Sequence, residues 1–99
     1  MLEKEFQKRV LKLLRTGYDD VWVYKASDKL VAGVPDIIGC YLGRMFAIEL
    51  KVGKNKPTEL QSYTIAEMRR CGANVIVAYD IETVKLFMEG MGCRKKEQK

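Results

Sequence analysis

Three charged residues at the edges of two strand-like segments have the types that phosphodiester chemistry uses. Asp36 follows Pro35, and Glu49 and Lys51 flank Leu50. Because side chains alternate along a strand, the Glu49 and Lys51 side chains are expected on one face, with Leu50 on the other. Carboxylates beside a free backbone carbonyl form the oxygen-rich site that Mg²⁺ or Mn²⁺ selects. The Leu50 carbonyl is the expected third ligand.

Such an ion would polarise a phosphoryl oxygen and activate a bound water. The Lys51 ammonium would orient the nucleophile or stabilise the charge developing on the phosphate. The chain contains no histidine, which removes the commonest general base and a common metal ligand. Carboxylates, lysine or thiols must therefore carry any chemistry, and no small-molecule organic cofactor is expected.

The first half of the chain must bring these residues together. Apolar residues at helical spacing predict an opening helix over residues 3–15. A short strand follows over 21–24, where Trp22 and Tyr24 are expected to pack in the core rather than stack on bases. The runs 36–41 and 45–51 are separated by a loop that suits an antiparallel hairpin. That pairing would place the acidic ends of the two strands side by side.

The second half supplies the remaining elements. Thr58 is expected to begin a helix, with Gln61 as its capping partner. Residues 74–78 read as a buried strand, and Asp80 is expected to cap a last helix. The order helix, three strands, helix, strand, helix predicts an α/β fold, a small mixed sheet flanked by helices.

Composition limits the function classes. The 99 residues, 47% of them hydrophobic, predict one domain over 1–93 and a frayed basic tail over 94–99. A formal net charge of +5 favours nucleic acid as partner. Three cysteines without CxxC spacing indicate a reducing, cytoplasmic location. No apolar run approaches the roughly 18 residues of a membrane span, so no membrane association is expected.

An ordered set of short motifs covers most of the chain up to about Tyr79. It comprises Glu3-Lys4-Glu5-Phe6-Gln7, Gly33-Val34-Pro35-Asp36, Ile48-Glu49-Leu50-Lys51-Val52-Gly53, Gln61 and Gly72-Ala73. Together these motifs resemble the stand-alone VRR-NUC domains, a branch of the PD-(D/E)xK nucleases with a restriction-endonuclease-like core. The resemblance implies that Asp36 and Glu49 bind the divalent metal and that Lys51 assists the attacking water.

A glutamate on the first helix completes the site in that family. Glu3 and Glu5 both compete for this position. The resemblance favours Glu3, because it precedes Gln7 by four residues, which is the spacing in that family and also places both residues on one helical face. An acidic residue near a helix N-terminus also has a purely electrostatic explanation. Gln61 matches the family's glutamine near the scissile phosphate, although the capping box explains it equally well.

The resemblance also implies a structure-specific endonuclease. Homodimers with Holliday-junction-resolvase-like architecture would act on branched DNA such as four-way junctions, and a phage or bacterial source would suit the family. Lys25, Lys54 and Lys56 are candidate DNA contacts, although long basic side chains and charged surface loops are also ordinary features. The alternatives are a non-catalytic nucleic-acid-binding module of the same fold and an interaction subunit of a larger assembly.

Overall fold

The computed structural model describes residues 1–28 and 31–97. The helices are α1 (Glu3–Thr16), α2 (Glu59–Arg70) and α3 (Ile81–Gly90). The strands are β1 (Val21–Lys25), β2 (Ile37–Tyr41), β3 (Arg44–Leu50) and β4 (Asn74–Ala78), and a single 3₁₀ turn, Ala26–Asp28, follows β1. The predicted α/β element order is confirmed.

The four strands form one mixed sheet in the order β1-β2-β3-β4. Strand β2 is antiparallel to both β1 and β3, and β4 runs parallel to β3. Helix α2 makes the crossover that a parallel pair requires. The loop between β2 and β3 consists of Leu42 and Gly43, with φ of 46° and 84°. Positive φ at both positions is typical of the type I′ hairpin turn, which matches the strand twist and fixes the predicted hairpin.

One side of the sheet is covered by α1 and α3. Phe6, Val10 and Leu14 of α1 and Val84 and Met88 of α3 pack against the buried residues of this side. The strands contribute Val23, Ile37, Tyr41, Phe46, Ile48, Leu50 and Ala78. The Phe46 ring lies over its strand partner Gly39, where a Cβ would stand 2.3 Å from Cζ of the ring. Glycine at position 39 is therefore required for this packing.

The opposite side is only partly covered, by α2. Ile65 of this helix packs with Ala47 and Val75. The prediction that Trp22 and Tyr24 pack in the core is wrong: they are 63% and 39% exposed, with parallel ring planes and centroids 6.3 Å apart. Their strand lies two positions beyond β3 in the sheet, outside the small apolar cluster that α2 builds on β3 and β4. Four residues on this side are exposed, and we call them the open face: Trp22, Tyr24, Cys40 and Met45.

Part of the predicted frayed tail is held against the end of α1. The Asp19 amide donates to the Arg94 carbonyl at 3.0 Å, and the Lys96 amide donates to the Gly17 carbonyl at 2.9 Å. These backbone hydrogen bonds order residues that have no apolar periodicity. Gln98 and Lys99 of the tail, like Lys29 and Leu30 of the predicted loop before Pro35, lie outside the described residues. Within the described ranges, no helix combines the length and apolar character needed to cross a membrane.

Candidate active site

The start of β2 and the end of β3 meet at one end of the sheet. Ile37 pairs with Ile48, so the next position outward places Asp36 opposite Glu49. The Asp36 amide donates to Glu49 Oε1 at 3.2 Å, and the Leu50 amide donates to Asp36 Oδ2 at 2.9 Å. The adjacency that hairpin pairing predicted for the two carboxylates is present in the structure.

Glu49 is a charged residue in a buried position. It is 1% exposed and is the one buried polar or charged residue within the described part of the chain. Burial, followed by the negative charge of Asp36, raises the pKa of Glu49 to about 6, although Lys51 opposes this rise. The folded protein therefore holds this carboxylate where its charge is unfavourable, a pattern that is typical of functional sites.

Asp36 shares this unfavourable environment. Burial raises its pKa, the hydrogen bond from the Leu50 amide lowers it in part, and the charge of Glu3 raises it further. The negative charge of Asp36 thus acts on Glu49, and that of Glu3 acts on Asp36, at this end of the sheet. A bound cation would relieve the repulsion among them.

Lys51 supplies the positive charge of the cluster. Its Nζ lies 3.0 Å from Glu49 Oε2, and its side chain is 13% exposed. Burial lowers the pKa of Lys51, but the Glu49 hydrogen bond and the charges of Glu49, Glu3 and Asp36 outweigh this effect, so the net shift is upward. Lys51 is therefore a protonated ammonium near neutral pH, held in place by Glu49.

The backbone at Leu50 is directed toward Asp36. The Lys51 amide donates to the Ala78 carbonyl of β4, whereas the Leu50 amide donates to Asp36 on the opposite side of β3. Along a strand, the backbone N–H and C=O of one residue point toward the same adjacent strand. Those of the next residue point toward the strand on the other side. The Leu50 carbonyl accordingly faces the Asp36 side, while the Leu50 side chain is buried in the core.

Glu3 approaches this cluster from α1. It is the first residue of the helix, it is partly buried, and its charge acts on Asp36 and Lys51. Glu5, its competitor in the sequence, is exposed. Among the described residues, no three Asp, Glu, Cys or His side chains already converge as a set of metal ligands. Glu3 is therefore an electrostatic neighbour of the Asp36–Glu49 pair in this structure rather than a direct contact.

Gln61 occupies the capping position next to Thr58, which is one of the two roles predicted for it from the sequence. The Gln61 side-chain Oε1 accepts a hydrogen bond from the Thr58 backbone amide at 2.8 Å. The Gln61 backbone amide donates to Thr58 Oγ1 at 3.1 Å. This reciprocal pair is a capping box for α2. The side-chain oxygen of Gln61 is therefore committed to the helix end, and the catalytic role stays a prediction.

The candidate DNA-contacting lysines lie at the same end of the sheet. Lys25 ends β1 and pairs with Ile37, the residue after Asp36. Lys54 and Lys56 are exposed in the loop that follows Lys51. Their neighbour Asn55 accepts a hydrogen bond from the Tyr79 hydroxyl at 2.7 Å, which ties this loop to the end of β4.

Sequence reasoning missed the residues that hold the Asp36 backbone. The Ala26 and Ser27 amides both donate to the Asp36 carbonyl, at 2.7 and 3.1 Å. The Ser27 hydroxyl donates to Gln7 Oε1 of α1 at 3.3 Å. This chain of contacts links the helix that carries Glu3 to the strand end that carries Asp36. No motif marks Ser27 in the sequence, because its importance comes from a backbone contact.

The architecture places this acidic cluster at one end of the sheet of a small α/β domain. A solved structure described as a VRR_NUC domain superposes on the chain with a TM-score of 0.68 and 26% sequence identity, covering 88% of this chain and 94% of that one. No family model and no curated protein matches the sequence. The structural match agrees with the motifs of the sequence and supports the resemblance to VRR-NUC nuclease domains.

Proposed function

We propose that this protein is a divalent-metal-dependent endonuclease of the PD-(D/E)xK type that hydrolyses phosphodiester bonds in DNA. The observation that supports the proposal most strongly is the cluster of Asp36, Glu49 and Lys51 at one end of the sheet. Two adjacent carboxylates and one ammonium are the groups that this chemistry needs, and the burial and repulsion that raise the pKa values of the carboxylates would be relieved by a bound cation. The net charge of +5 suits a polyanionic substrate.

The donor set fits a hard cation such as Mg²⁺ or Mn²⁺. Asp36 and Glu49 offer carboxylate oxygens, and the Leu50 carbonyl faces the same side of the strand. Oxygen donors are the ligands that both ions prefer. Glu3 would complete the negative charge of the site from α1. When bound, the ion supplies polarisation of a phosphoryl oxygen and a more acidic water.

Lys51 has two functions in this proposal. Its ammonium is fixed by Glu49 at 3.0 Å, so the position of the positive charge does not depend on the substrate. A fixed cation beside the reacting phosphate stabilises the negative charge that develops there, without having to reorganise during the reaction. The same ammonium also positions the attacking water by donating a hydrogen bond to it.

Cleavage assays test the proposal. A four-way junction and a linear duplex of matched sequence are incubated with the protein in Mg²⁺, Mn²⁺ and EDTA. We expect metal-dependent cleavage that is lost in Lys51→Ala by at least about a hundredfold. Lys85→Ala, which removes a cation from an ion pair on α3, should cleave normally. Binding without cleavage in any of the three conditions would instead identify a non-catalytic nucleic-acid-binding module.

The proposed preference for branched DNA depends on a symmetric homodimer, and the open face is the surface we propose for it. Trp22, Tyr24, Cys40 and Met45 carry no charge and are exposed. Aromatic and methionine side chains are enriched in the cores of protein interfaces. A second copy is the occupant we propose, because a chain this small gains stability from burying more apolar surface and two-fold contacts are self-complementary. Such a dimer would present two active sites to two strands.

Sedimentation measurements test the dimer. Trp22→Lys places a charge on the open face, whereas Leu86→Lys places one on a side chain of similar exposure on α3. We expect the wild type and Leu86→Lys to be dimers and Trp22→Lys to be a monomer at micromolar concentration. A monomeric wild type, or a Trp22→Lys protein that remains dimeric, would refute this interface.

A further inference from the structure

The exposed side of α1 carries a row of basic residues. Lys4, Lys8 and Lys12 follow one another at intervals of four residues, and Arg15 follows in the last turn. All four are exposed. Residues three or four apart share a helix face, so these four cations form one line along the helix. At 1.5 Å per residue, the line from Lys4 to Arg15 is about 16 Å long.

This row differs from the basic residues of the other helices. Arg70 of α2 is paired with Glu67, and Lys85 of α3 is paired with Glu82, each one helical turn away. Lys95, beyond α3, is paired with Glu89. Across residues 1–28 and 31–97, no ion pair involves a member of the α1 row. The positive charge of the row is therefore not neutralised by an acidic side chain of the described residues, and an external anion can bind to it.

The position of the row limits what that anion can be. The apolar side of α1, including Phe6, Val10 and Leu14, is buried in the core, so the helix cannot insert this side into a membrane surface. The row begins directly after Glu3 at the active-site end and runs toward the start of β1. An anion bound along it would be extended, with one end at the active site.

We propose that the α1 row binds the phosphate backbone of a DNA duplex arm that leads away from the active site. A duplex rises 3.4 Å per base pair, so a line of about 16 Å spans about five base pairs. The proposal rests on the proposed nuclease function, and it assigns part of the substrate surface to residues that make no contact with the reacting phosphate. The row would determine how firmly one arm is held.

The salt dependence of binding in EDTA tests this assignment without requiring cleavage. Each phosphate that the protein neutralises contributes about −0.9 to the slope of log K against log salt concentration. The triple variant Lys4→Gln, Lys8→Gln, Lys12→Gln should therefore have a slope shallower by about 2.7 on a 20-base-pair duplex. Between 50 and 200 mM salt, it should lose about fortyfold less affinity than the wild type.

A matched control removes the same net charge elsewhere. Arg70→Gln, Lys85→Gln, Lys95→Gln should change the slope by less than about one, because these cations are paired with acidic residues. Replacing the three α1 lysines with arginine should preserve the wild-type slope. If the triple variant is poorly folded by circular dichroism, the single variant Lys8→Gln should still reduce the slope by about 0.9.

Equal slopes for wild type and the α1 variant would overturn the assignment, as would equal losses in the α1 and control variants. A loss seen only with single-stranded DNA would also overturn it, in favour of a single-strand contact. These outcomes are separate from the nuclease proposal. If the α1 row binds duplex DNA but the protein never cleaves DNA, only the catalytic proposal is refuted.

Discussion

The two sides of the sheet have different compositions and, we infer, different functions. The side covered by α1 and α3 has a continuous apolar core. The α2 side contains the buried Glu49, a much smaller apolar cluster and the exposed open face. Most of the apolar burial that stabilises the fold thus lies on one side. Glu49 and the surface proposed for a partner lie on the other.

Adjacent residues of β3 show this contrast most directly. Phe46 and Met45 are neighbours in sequence, but Phe46 is fully buried on the covered side and Met45 is 44% exposed on the open face. Alternation along a strand places a stabilising residue and a surface residue one position apart. Substitutions at such pairs therefore separate stability from function.

Phe46→Ala should produce the largest loss of stability. Removing a buried aromatic ring leaves a cavity, and the expected cost is about 3–5 kcal/mol in the free energy of unfolding. Met45→Ala, on the exposed side of the same strand, should change it by less than about 1 kcal/mol. Urea denaturation of the monomeric form measures both values. Similar losses for the two variants would contradict the proposed division between the sides.

Glu49→Gln should stabilise the protein while abolishing cleavage. The pKa of Glu49 is raised from 4.5 to about 6 by burial and by Asp36. The unfolded chain therefore releases this proton first, so the contribution of Glu49 to stability is complete below about pH 4.5 and is lost as the pH rises through about 6. The difference between these values corresponds to about 2 kcal/mol.

We accordingly expect Glu49→Gln, in EDTA at pH 7.5, to unfold with a free energy about 2 kcal/mol above that of the wild type. The advantage should shrink as the pH approaches 5. Glu82→Gln, at an exposed position on α3, should show neither effect. A Glu49→Gln protein that is less stable than wild type at pH 7.5 would mean that the Lys51 ion pair outweighs the burial of the carboxylate.

Gln61 should have the smallest effect, and its partner in the capping box provides the control. Gln61→Ala and Thr58→Ala each remove one of the two reciprocal hydrogen bonds of this box, at an expected cost of about 1 kcal/mol. If Gln61 only caps α2, both variants should cleave DNA at the wild-type rate. A rate that falls in Gln61→Ala alone would establish a catalytic role beyond the cap.

The features that the sequence predicted depend on local patterns. The hairpin follows from two strand-like runs and a short turn, and strand alternation then places Asp36 beside Glu49. The caps formed by Thr58 and Asp80 were predicted from residue type and spacing, and their hydrogen bonds are present. These features depend on neighbours that lie close in sequence.

The features that the sequence did not predict depend on long-range packing. Strand alternation shows that Trp22 and Tyr24 share a face, but it does not show whether a helix covers that face. The contacts of Arg94 and Lys96 with the end of α1 connect backbone groups, which residue types do not encode. The Ser27 contacts at Asp36 were missed for the same reason.

Thermal unfolding in Mn²⁺ most directly tests the central claim that Asp36 and Glu49 bind a divalent cation. Binding to the folded state adds about 2.7 kcal/mol at a hundred times the dissociation constant. We predict that Mn²⁺ raises the Tm of the wild type by several degrees and leaves the Tm of Asp36→Asn unchanged. No rise in the wild type, or an equal rise in Asp36→Asn, would contradict the proposed metal site.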